Sequence, residues 1–417
     1  MPHKQKLGLA WWFVPLMATM SSWSALSIDI FLPALPVMQA HFDLTLSQTQ
    51  SVITLFVLGM VFGDLIFGPL SDRLGRKVMI LSGAGLFMVA TGVCIIAEQS
   101  ALVLAGRFVQ GIGAAGPKIV VRALIRDVAD GVRLAKLYSL IFLLFIFIPM
   151  VAPLIGQFLS QDGNWRLIFY SLLGFSAVVS ILFAWLQSET LLEPQRSRIS
   201  GKVVLQTLYK ICCHQRILAY GMLAGVIFGI KLTYLSNIQN LFASQYDIHE
   251  QFPWYFAGLS SAIAIAFFLN SHLVGIYGSI RICGLACIGI VVTTALFALV
   301  TVASAGQPAL SWFLTSFFAL FFCFGLIWGN VSALAMNYMG EVAGLGSTFI
   351  SATTAVVAYG LASLAGRIYT VDFTAFTICL WVYTCLGAGL FLMASRSQHR
   401  HSITRPLDTP KRSKIAK

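Results

Sequence analysis

Six ionisable side chains lie inside the long apolar runs of this 417-residue chain: Asp29, Asp64, Arg107, Lys118, Arg122 and Lys231. A charged side chain in hydrocarbon is costly unless it is paired or hydrated, so each of them is a functional candidate. A carboxyl group in such surroundings can bind and release protons, and a cation can bind an anionic group. Because four cations stand against two acids, the balance favours an anionic or zwitterionic solute over a lipophilic cation.

The two acids have different expected roles. Asp29 precedes Pro33 in the first apolar run, and a carboxyl group there is a candidate for proton coupling. The alternative is permanent pairing of Asp29 with an arginine. Arg107 enters the membrane at a similar depth, where it can bias that carboxyl group or bond backbone carbonyls of the first helix. For Asp64, a buried ion pair with a cation is the favoured interpretation.

Three cations share one face of the fourth helix, because the spacings from Arg107 to Lys118 and on to Arg122 are close to whole numbers of turns. Lys118 is deep and is expected to line a substrate cavity. Arg122 is also a cavity candidate, although it is close enough to the helix end to snorkel to the interface. Small residues between the cations leave room for a cavity: Gly111, Ala114 and Ala115.

The seventh helix contributes Lys231, which the offset between the two halves of the chain places near the counterpart of Asp29. Lys231 is expected to bind an anionic group or to form a gating pair across the halves, and structural pairing is the alternative. Polar and aromatic residues of the same half that can orient a solute include Tyr234, Asn237, Trp328 and Asn330. Helix–helix hydrogen bonding or packing is the alternative for each of these.

The elements that position these residues are apolar runs. Hydrophobic residues make up 58% of the chain and charged residues 10%, so most of the surface must face lipid. The runs predict an all-α integral membrane protein with about twelve transmembrane helices, in two six-helix pseudo-repeats. The predicted helices are 9–36, 47–69, 79–97, 102–124, 136–159 and 167–188, followed by 216–242, 252–273, 279–303, 309–335, 344–366 and 372–394.

Charge sets the expected domains and topology. Residues 1–188 form the N-terminal bundle, 189–215 a linker, 216–394 the C-terminal bundle and 395–417 a basic tail. Lysine and arginine are concentrated in alternate short loops, in the linker and in the tail, which places both termini in the cytoplasm. Because they are spread in this way, the net charge of +12 does not indicate nucleic-acid binding.

A short charged turn, GPLSDRLGRK, separates the second and third apolar runs at Gly68–Lys77. It resembles the signature cytoplasmic loop of the major facilitator superfamily of transporters. The residues that carry the resemblance are Gly68, Asp72, Arg73, Gly75, Arg76 and Lys77. We expect a conformational latch, in which Asp72 and the arginines bond neighbouring helices; the alternative is a turn that only sets topology. In this interpretation Gly68-Pro69 ends the second helix.

Further motifs narrow the resemblance. Arg107, Gln110 and Gly111 are similar to the family's helix-4 motif, whose arginine is associated with proton transfer. The stretch Leu26–Pro36 resembles the first helix of the bicyclomycin and chloramphenicol resistance (Bcr/CflA) drug–proton antiporters. This resemblance implies two parallel repeats around a midplane site, alternating access, and a multi-pass protein of the bacterial inner membrane.

The resulting prediction is a proton-coupled secondary transporter, an exporter of a small organic solute. A siderophore or polycarboxylate transporter of the same fold, working in either direction, is the first alternative. A membrane-embedded enzyme or a sensor is disfavoured because the seven histidines are scattered. No nucleotide-binding loop is present, so protons are the expected coupling ion, with no other cofactor and no metal. The protein is expected to work in the bilayer as a monomer.

Overall fold

Helices are the only regular elements in the part of the chain that the computed structural model describes, which is residues 11–129, 131–191, 214–336, 343–369 and 373–400. The helices are α1 Phe13–Asp29, α2 Leu35–Phe42, α3 Leu46–Leu74, α4 Arg76–Ile96, α5 Ser100–Val128, α6 Gly131–Ser160, α7 Arg166–Leu186, α8 Gln215–Tyr246, α9 Phe252–Tyr277, α10 Ser279–Ala303, α11 Leu310–Met336, α12 Ala343–Tyr369 and α13 Phe373–Arg400. The predicted all-α class is confirmed.

Eleven membrane-spanning segments are long and apolar enough to cross a bilayer within these described ranges, and α1 and α2 count together as the first of them. The described apolar part of α6, Phe147–Ser160, is shorter. Most of the predicted linker and tail, residues 192–213 and 401–417, lies outside the described residues. The helix α13 extends to Arg400, which is several residues into the predicted tail.

The first span is broken immediately after Asp29. The helix α1 ends at that residue, and a 3-10 turn at Leu32–Ala34 leads into α2. Pro33 and Pro36 lack the backbone N–H that a continuous helix needs, which explains the change of geometry. The prediction of one helix over 9–36 is therefore wrong. Because the span runs on to Phe42, Asp29 lies near its middle.

The second span ends at a single glycine. The helix α3 continues through Pro69 to Leu74, and α4 begins at Arg76. Between them Gly75 has φ +110° and ψ 154°, a conformation that is essentially restricted to glycine. The prediction that Gly68-Pro69 ends the helix is therefore wrong, since the bond lost at the proline does not stop the following turns.

Small residues bring α3 and α5 into direct backbone contact. A Cβ atom at Gly111 would lie 2.0 Å from the carbonyl oxygen of Phe56, and one at Gly59 would lie 2.0 Å from that of Phe108. Ala114 and Ala115 are fully buried in the same region. These positions are small because the helices touch there. The predicted cavity beside them is therefore wrong.

The two halves meet along α3 against α12 and α8, and along α6 against α9. The charged turn between α3 and α4 lies on the same side as the end of α5, where Arg126 is located. The positive-inside rule predicts that this basic side faces the cytoplasm, and we call it the inner side. The opposite side, where α3 begins and α8 ends, is the outer side.

Candidate functional site

Asp29 on the first half and Lys231 on the second half are close enough for their charges to interact. Asp29 lies near the middle of the first span and is 5% exposed, and Lys231 lies midway along α8. Their charges interact electrostatically, although they form no direct ion pair within the described residues. The sequence predicted both residues as functional, and the structure brings them together.

Tyr234 belongs to the same group. Its ring packs against Phe321, with centroids 4.7 Å apart, and its hydroxyl is buried without a hydrogen-bond partner among the described residues. The hydroxyl interacts electrostatically with the Asp29 carboxyl group. A buried hydroxyl without a partner is costly, so the Tyr234 hydroxyl is a candidate donor to a bound molecule near Asp29.

An aromatic wall lies beside Lys231 in the second half; it consists of Phe228, Phe324 and Trp328. The ammonium group of Lys231 is 5.4 Å from the ring centroid of Phe324. Phe324 and Trp328 stack with centroids 5.5 Å apart and an interplanar angle of 16°, and Phe228 lies 5.4 Å from Trp328. Such a surface suits a planar apolar group. The sequence predicted Trp328 as a residue that can orient a solute. It did not single out Phe228 and Phe324, because aromatic residues are common throughout the chain.

Arg107 is fully buried and does not face Asp29. Its guanidinium group donates to the carbonyl oxygens of Val52 (3.0 Å) and Ser27 (3.1 Å), and to Oε1 of Gln110 (2.9 Å). Arg107 therefore bonds a backbone carbonyl of the first helix, as the alternative prediction for this residue had it. The predicted influence of Arg107 on Asp29 is not supported by a contact.

The motif around Arg107 ties four helices of the first half together. The guanidinium carbon lies 4.4 Å from the ring centroids of both Phe31 and Phe56. Gln110 donates through Nε2 to the hydroxyl of Thr91 on α4 at 2.7 Å. With Ser27 on α1 and Val52 on α3, these contacts make the motif a buried cross-link.

Lys118 pairs with Asp64, as the ion-pair prediction for Asp64 implied. The distance from Nζ to Oδ2 is 2.7 Å, and the side chains are 19% and 4% exposed, respectively. Arg122 is exposed. The three cations of α5 therefore occupy three different environments. The prediction that they form one cationic cavity face is wrong, because helix packing buries Arg107 and Asp64 compensates Lys118.

Two further cavity candidates bond other side chains. Asn330 donates to Oδ1 of Asn270 at 2.6 Å, which joins α11 to α9. Asn237 accepts from Nε2 of Gln50 at 2.6 Å, across the interface between the halves. Gln50 was missed in the sequence analysis. A buried amide in an apolar run was the signal that would have identified it.

The inner turn between α3 and α4 is organised by Arg76. This side chain bonds Asp127 of α5 through Nε at 2.9 Å, the Ser71 hydroxyl at 2.7 Å and Asp72 at 2.5 Å. Arg73 is exposed and has no such bond among the described residues. These contacts join neighbouring helices of the first half, as a latch requires, and they are carried by Arg76 rather than by Arg73.

Glu189, just after α7, caps the N-terminus of α4. Its carboxylate accepts from the backbone N–H groups of Arg76 (2.9 Å) and Lys77 (3.0 Å), and Nζ of Lys77 donates to the carbonyl of Ala184 (2.6 Å). Burial alone would raise the pKa of Glu189. Four backbone N–H bonds outweigh burial and lower this pKa below its ordinary value.

Comparison with known sequences supports the expected family. A sequence profile of the Major Facilitator Superfamily matches residues 17–363. An uncharacterised MFS-type transporter of Bacillus subtilis, YdgK, is 28% identical over 83% of this chain and 85% of its own length. A bicyclomycin resistance protein homolog of Haemophilus influenzae is 29% identical over 63% of this chain and 66% of its own length. Multidrug resistance protein MdtL of Escherichia coli is 35% identical over 39% and 42%, respectively.

Solved structures show the same fold at low sequence identity. A D-xylose–proton symporter has a TM-score of 0.74 at 15% identity and covers 93% of this chain and 98% of its own. The POT family transporter PepTSo also has a TM-score of 0.74 at 15% identity and covers 94% and 99%, respectively. These values establish a shared architecture and carry no information about the solute.

Proposed function

The chain belongs to the Major Facilitator Superfamily of membrane transporters, and we propose that it is a proton-coupled exporter of a small aromatic zwitterion. The observation that carries this proposal is the pair of opposite charges, Asp29 and Lys231, placed on different halves at mid-membrane. Transporters built from two repeats bind their solute near the midplane, between the halves. The similarity to relatives named for bicyclomycin and multidrug resistance supports export, and their bacterial origin supports the inner membrane.

Proton coupling follows from the position of Asp29. While the carboxyl group is charged, it attracts Lys231 and holds the halves together. When it binds a proton, that attraction is lost and Lys231 must find another anionic partner. The proton therefore changes the balance between the two arrangements of the halves, which is what coupling requires.

The sign of the solute's charge decides the direction of coupling. A cationic group that occupies Asp29 competes with the proton, so solute and proton exchange across the membrane. An anionic group on Lys231 is favoured by protonated Asp29, so solute and proton would travel together. Binding linkage is reciprocal, and these two cases cannot be interchanged. Export that is driven by an inward proton gradient therefore requires a cationic group of the solute at Asp29.

A zwitterion satisfies both charges of the site. Its cationic group displaces the proton from Asp29, its anionic group lies on Lys231, and its ring stacks on the wall of Phe228, Phe324 and Trp328. A siderophore or polycarboxylate is less well matched. Lys118 is already paired with Asp64 and Arg107 is bound to carbonyl oxygens, so a second anionic group would find fewer cations than the sequence indicated.

The proposal is tested by transport in proteoliposomes with an imposed pH gradient. Three matched solutes are compared: an aromatic amino acid, its methyl ester and its N-acetyl derivative, which are zwitterionic, cationic and anionic. We expect proton-driven exchange of the zwitterion. The Asp29→Asn variant is expected to abolish uphill transport and to weaken binding of the zwitterion, because the carboxylate that holds its cationic group is removed. Lys231→Gln is expected to weaken binding of the zwitterion by about 10- to 100-fold.

Arg281→Gln is the matched control, because Arg281 is exposed at the end of a helix of the second half. Its transport should equal that of the wild type. Undiminished uphill transport by Asp29→Asn would remove Asp29 from the mechanism. Proton-driven exchange of the methyl ester alone, with Lys231→Gln unaffected, would replace the zwitterion by a cation.

A further inference from the structure

One hydrogen bond joins the two halves close to the outer side. Nε2 of Gln50 on α3 donates to Oδ1 of Asn237 on α8 at 2.6 Å. Both side chains are almost completely buried, at 4% and 1% exposed. A buried amide pair is stable only while each amide keeps its partner, so separation of the halves must break this bond or rehydrate it.

Gly366 on α12 makes this bond possible. A Cβ atom at that position would lie 1.8 Å from Oε1 of Gln50. The Gln50 amide therefore occupies the space that any other residue at position 366 would fill. Three helices, α3, α8 and α12, meet at this point, and two of them belong to the second half.

The bond lies between the outer surface and the charged pair of the candidate site. On its outer side is a cavity of about 370 Å³, which we call the outer vestibule, lined by Gln39, Leu46, Asn240, Ala243 and Ser244. Asn240 is almost one helical turn beyond Asn237, and Leu46 is about one turn beyond Gln50. Lys231 lies about 9 Å to the inner side of Asn237 along α8. Along α3 and α8, the amide pair therefore lies between the outer vestibule and Lys231.

We propose that Gln50 and Asn237 form the outer gate of this transporter, and that Gly366 leaves the space which the Gln50 amide occupies. While the bond is intact, solute and protons in the outer vestibule are kept from Asp29 and Lys231. The polar pair is suited to this role because a hydrogen bond of about 1 kcal/mol net can break and reform in every cycle. This inference rests on the proposed alternating access and is independent of the solute.

The test measures access from the outer side to a position beneath the gate. Thr54 lies one turn inward of Gln50 on α3 and is 3% exposed. Thr54→Cys is introduced into the chain after its eight cysteines have been replaced, and a membrane-impermeant thiol reagent is added outside. Gln50→Leu, Asn237→Leu and Gly366→Ala are each expected to raise the labelling rate about fivefold, which is the loss of one such bond.

A double variant separates a gate from simple damage to packing. Gln50→Leu with Asn237→Leu should label no faster than either single variant, because one bond is removed in all three. The same variants should dissipate an imposed pH gradient faster than the wild type in the absence of solute. Gly360→Ala is the matched control on α12, since a Cβ there meets nothing within 4 Å, and its labelling should not change.

Unchanged labelling in the two leucine variants, with Thr54→Cys reactive after detergent unfolding, would overturn the gate. Additive rates in the double variant would overturn it as well. Gln50→Leu preserves side-chain volume and helix propensity, so it gives a result even if Gly366→Ala does not fold. Since no solute is present, failure of the gate leaves the transport experiment on Asp29 and Lys231 unaffected, and the reverse also holds.

Discussion

Two turns of this molecule have similar backbone conformations and differ in the side-chain bonds that surround them. Gly75 joins α3 to α4 with φ +110° and ψ 154°, and Gly278 joins α9 to α10 with φ +75° and ψ 152°. Both helices that follow begin at the next residue. At the Gly75 turn, Arg76 bonds Asp127 of α5, and Glu189, just after α7, accepts from the backbone N–H of Arg76. At the second turn, Arg281 is exposed and forms no ion pair within the described residues.

The comparison separates two requirements that the sequence motif combines. Glycine is required by the backbone, because only glycine readily adopts this region of φ and ψ. The bonds of the charged residues are a second, separate feature, which we call the charge layer. Among the described residues it is present at the Gly75 turn, where Arg76 and Glu189 join neighbouring helices. The second half retains the turn without the charge layer, so the bonds of Arg76 are not needed to form the turn.

The largest expected effect comes from removing the charge layer. Arg76→Ala removes the cation that pairs with Asp127 and the guanidinium donor to the buried hydroxyl of Ser71, and we expect a loss of about 2–3 kcal/mol in stability. This corresponds to a Tm roughly 2–4 °C lower in detergent. Arg281→Ala, the counterpart in the second turn, should change Tm by about 1 °C or less. Thermal unfolding of the two purified variants measures the difference.

An equal loss for both arginine variants would contradict the separation into backbone and charge layers. Arg76→Lys refines the test, because a lysine retains the charge and cannot bond Asp127, Ser71 and Asp72 from one planar group. Its Tm should fall between those of the wild type and Arg76→Ala.

The next largest effect tests the glycine backbone conformation that the two turns share. Gly75→Ala and Gly278→Ala each force a side chain into a conformation that costs about 1–3 kcal/mol. Because the two backbones are alike, the two losses should be similar, in contrast to those of the arginine pair. A Cβ atom at Gly278 would meet no heavy atom within 4 Å, so the loss at that position measures backbone strain rather than a clash. A loss at Gly75 alone would mean that the charges dictate the turn.

The architecture could be predicted from the sequence because hydrophobic length and loop charge determine it. Apart from the first span, apolar runs predict the helix bounds to within about six residues, and the turn motif is typical of the family. The proline positions misled the prediction in both directions. Pro33 changes the first span just after Asp29, yet Pro69 is accommodated inside α3. Whether a helix continues past a proline depends on how neighbouring helices pack against it, which a single sequence does not show.

The site was only partly predictable, for a related reason. Depth in the membrane identified Asp29 and Lys231, because burying a charge is costly wherever the helices go. Partners were not predictable. Helical periodicity put Arg107 and Lys118 on one face, but the contacts of α3 and α5 determine that one bonds carbonyls and the other bonds Asp64. The Gln50–Asn237 bond spans residues that are far apart in sequence, and no local pattern signals it.

The smallest expected effect is a dependence of the first turn on acid. The pKa of Glu189 lies below its ordinary value of 4.5, so its carboxylate stabilises the fold fully above that value. This stabilisation is lost as the pH falls through the lowered pKa. Its size is about 0.5–1 kcal/mol, typical of an acid at a helix N-terminus. The Tm difference between the wild type and Glu189→Gln should stay constant from pH 7 to about 5 and shrink below about 4.5.

Hydrogen exchange at the two turns provides the internal control for this effect. The amides of Arg76 and Lys77 should lose protection in acid after correction for intrinsic rates, since they donate to the carboxylate of Glu189. The amides of Ser279 and Ile280, which follow the second glycine, have no such acceptor among the described residues and should not respond. A parallel loss at both turns would show that acid loosens the helices generally. A loss confined to the first turn would show that one carboxylate holds the start of α4.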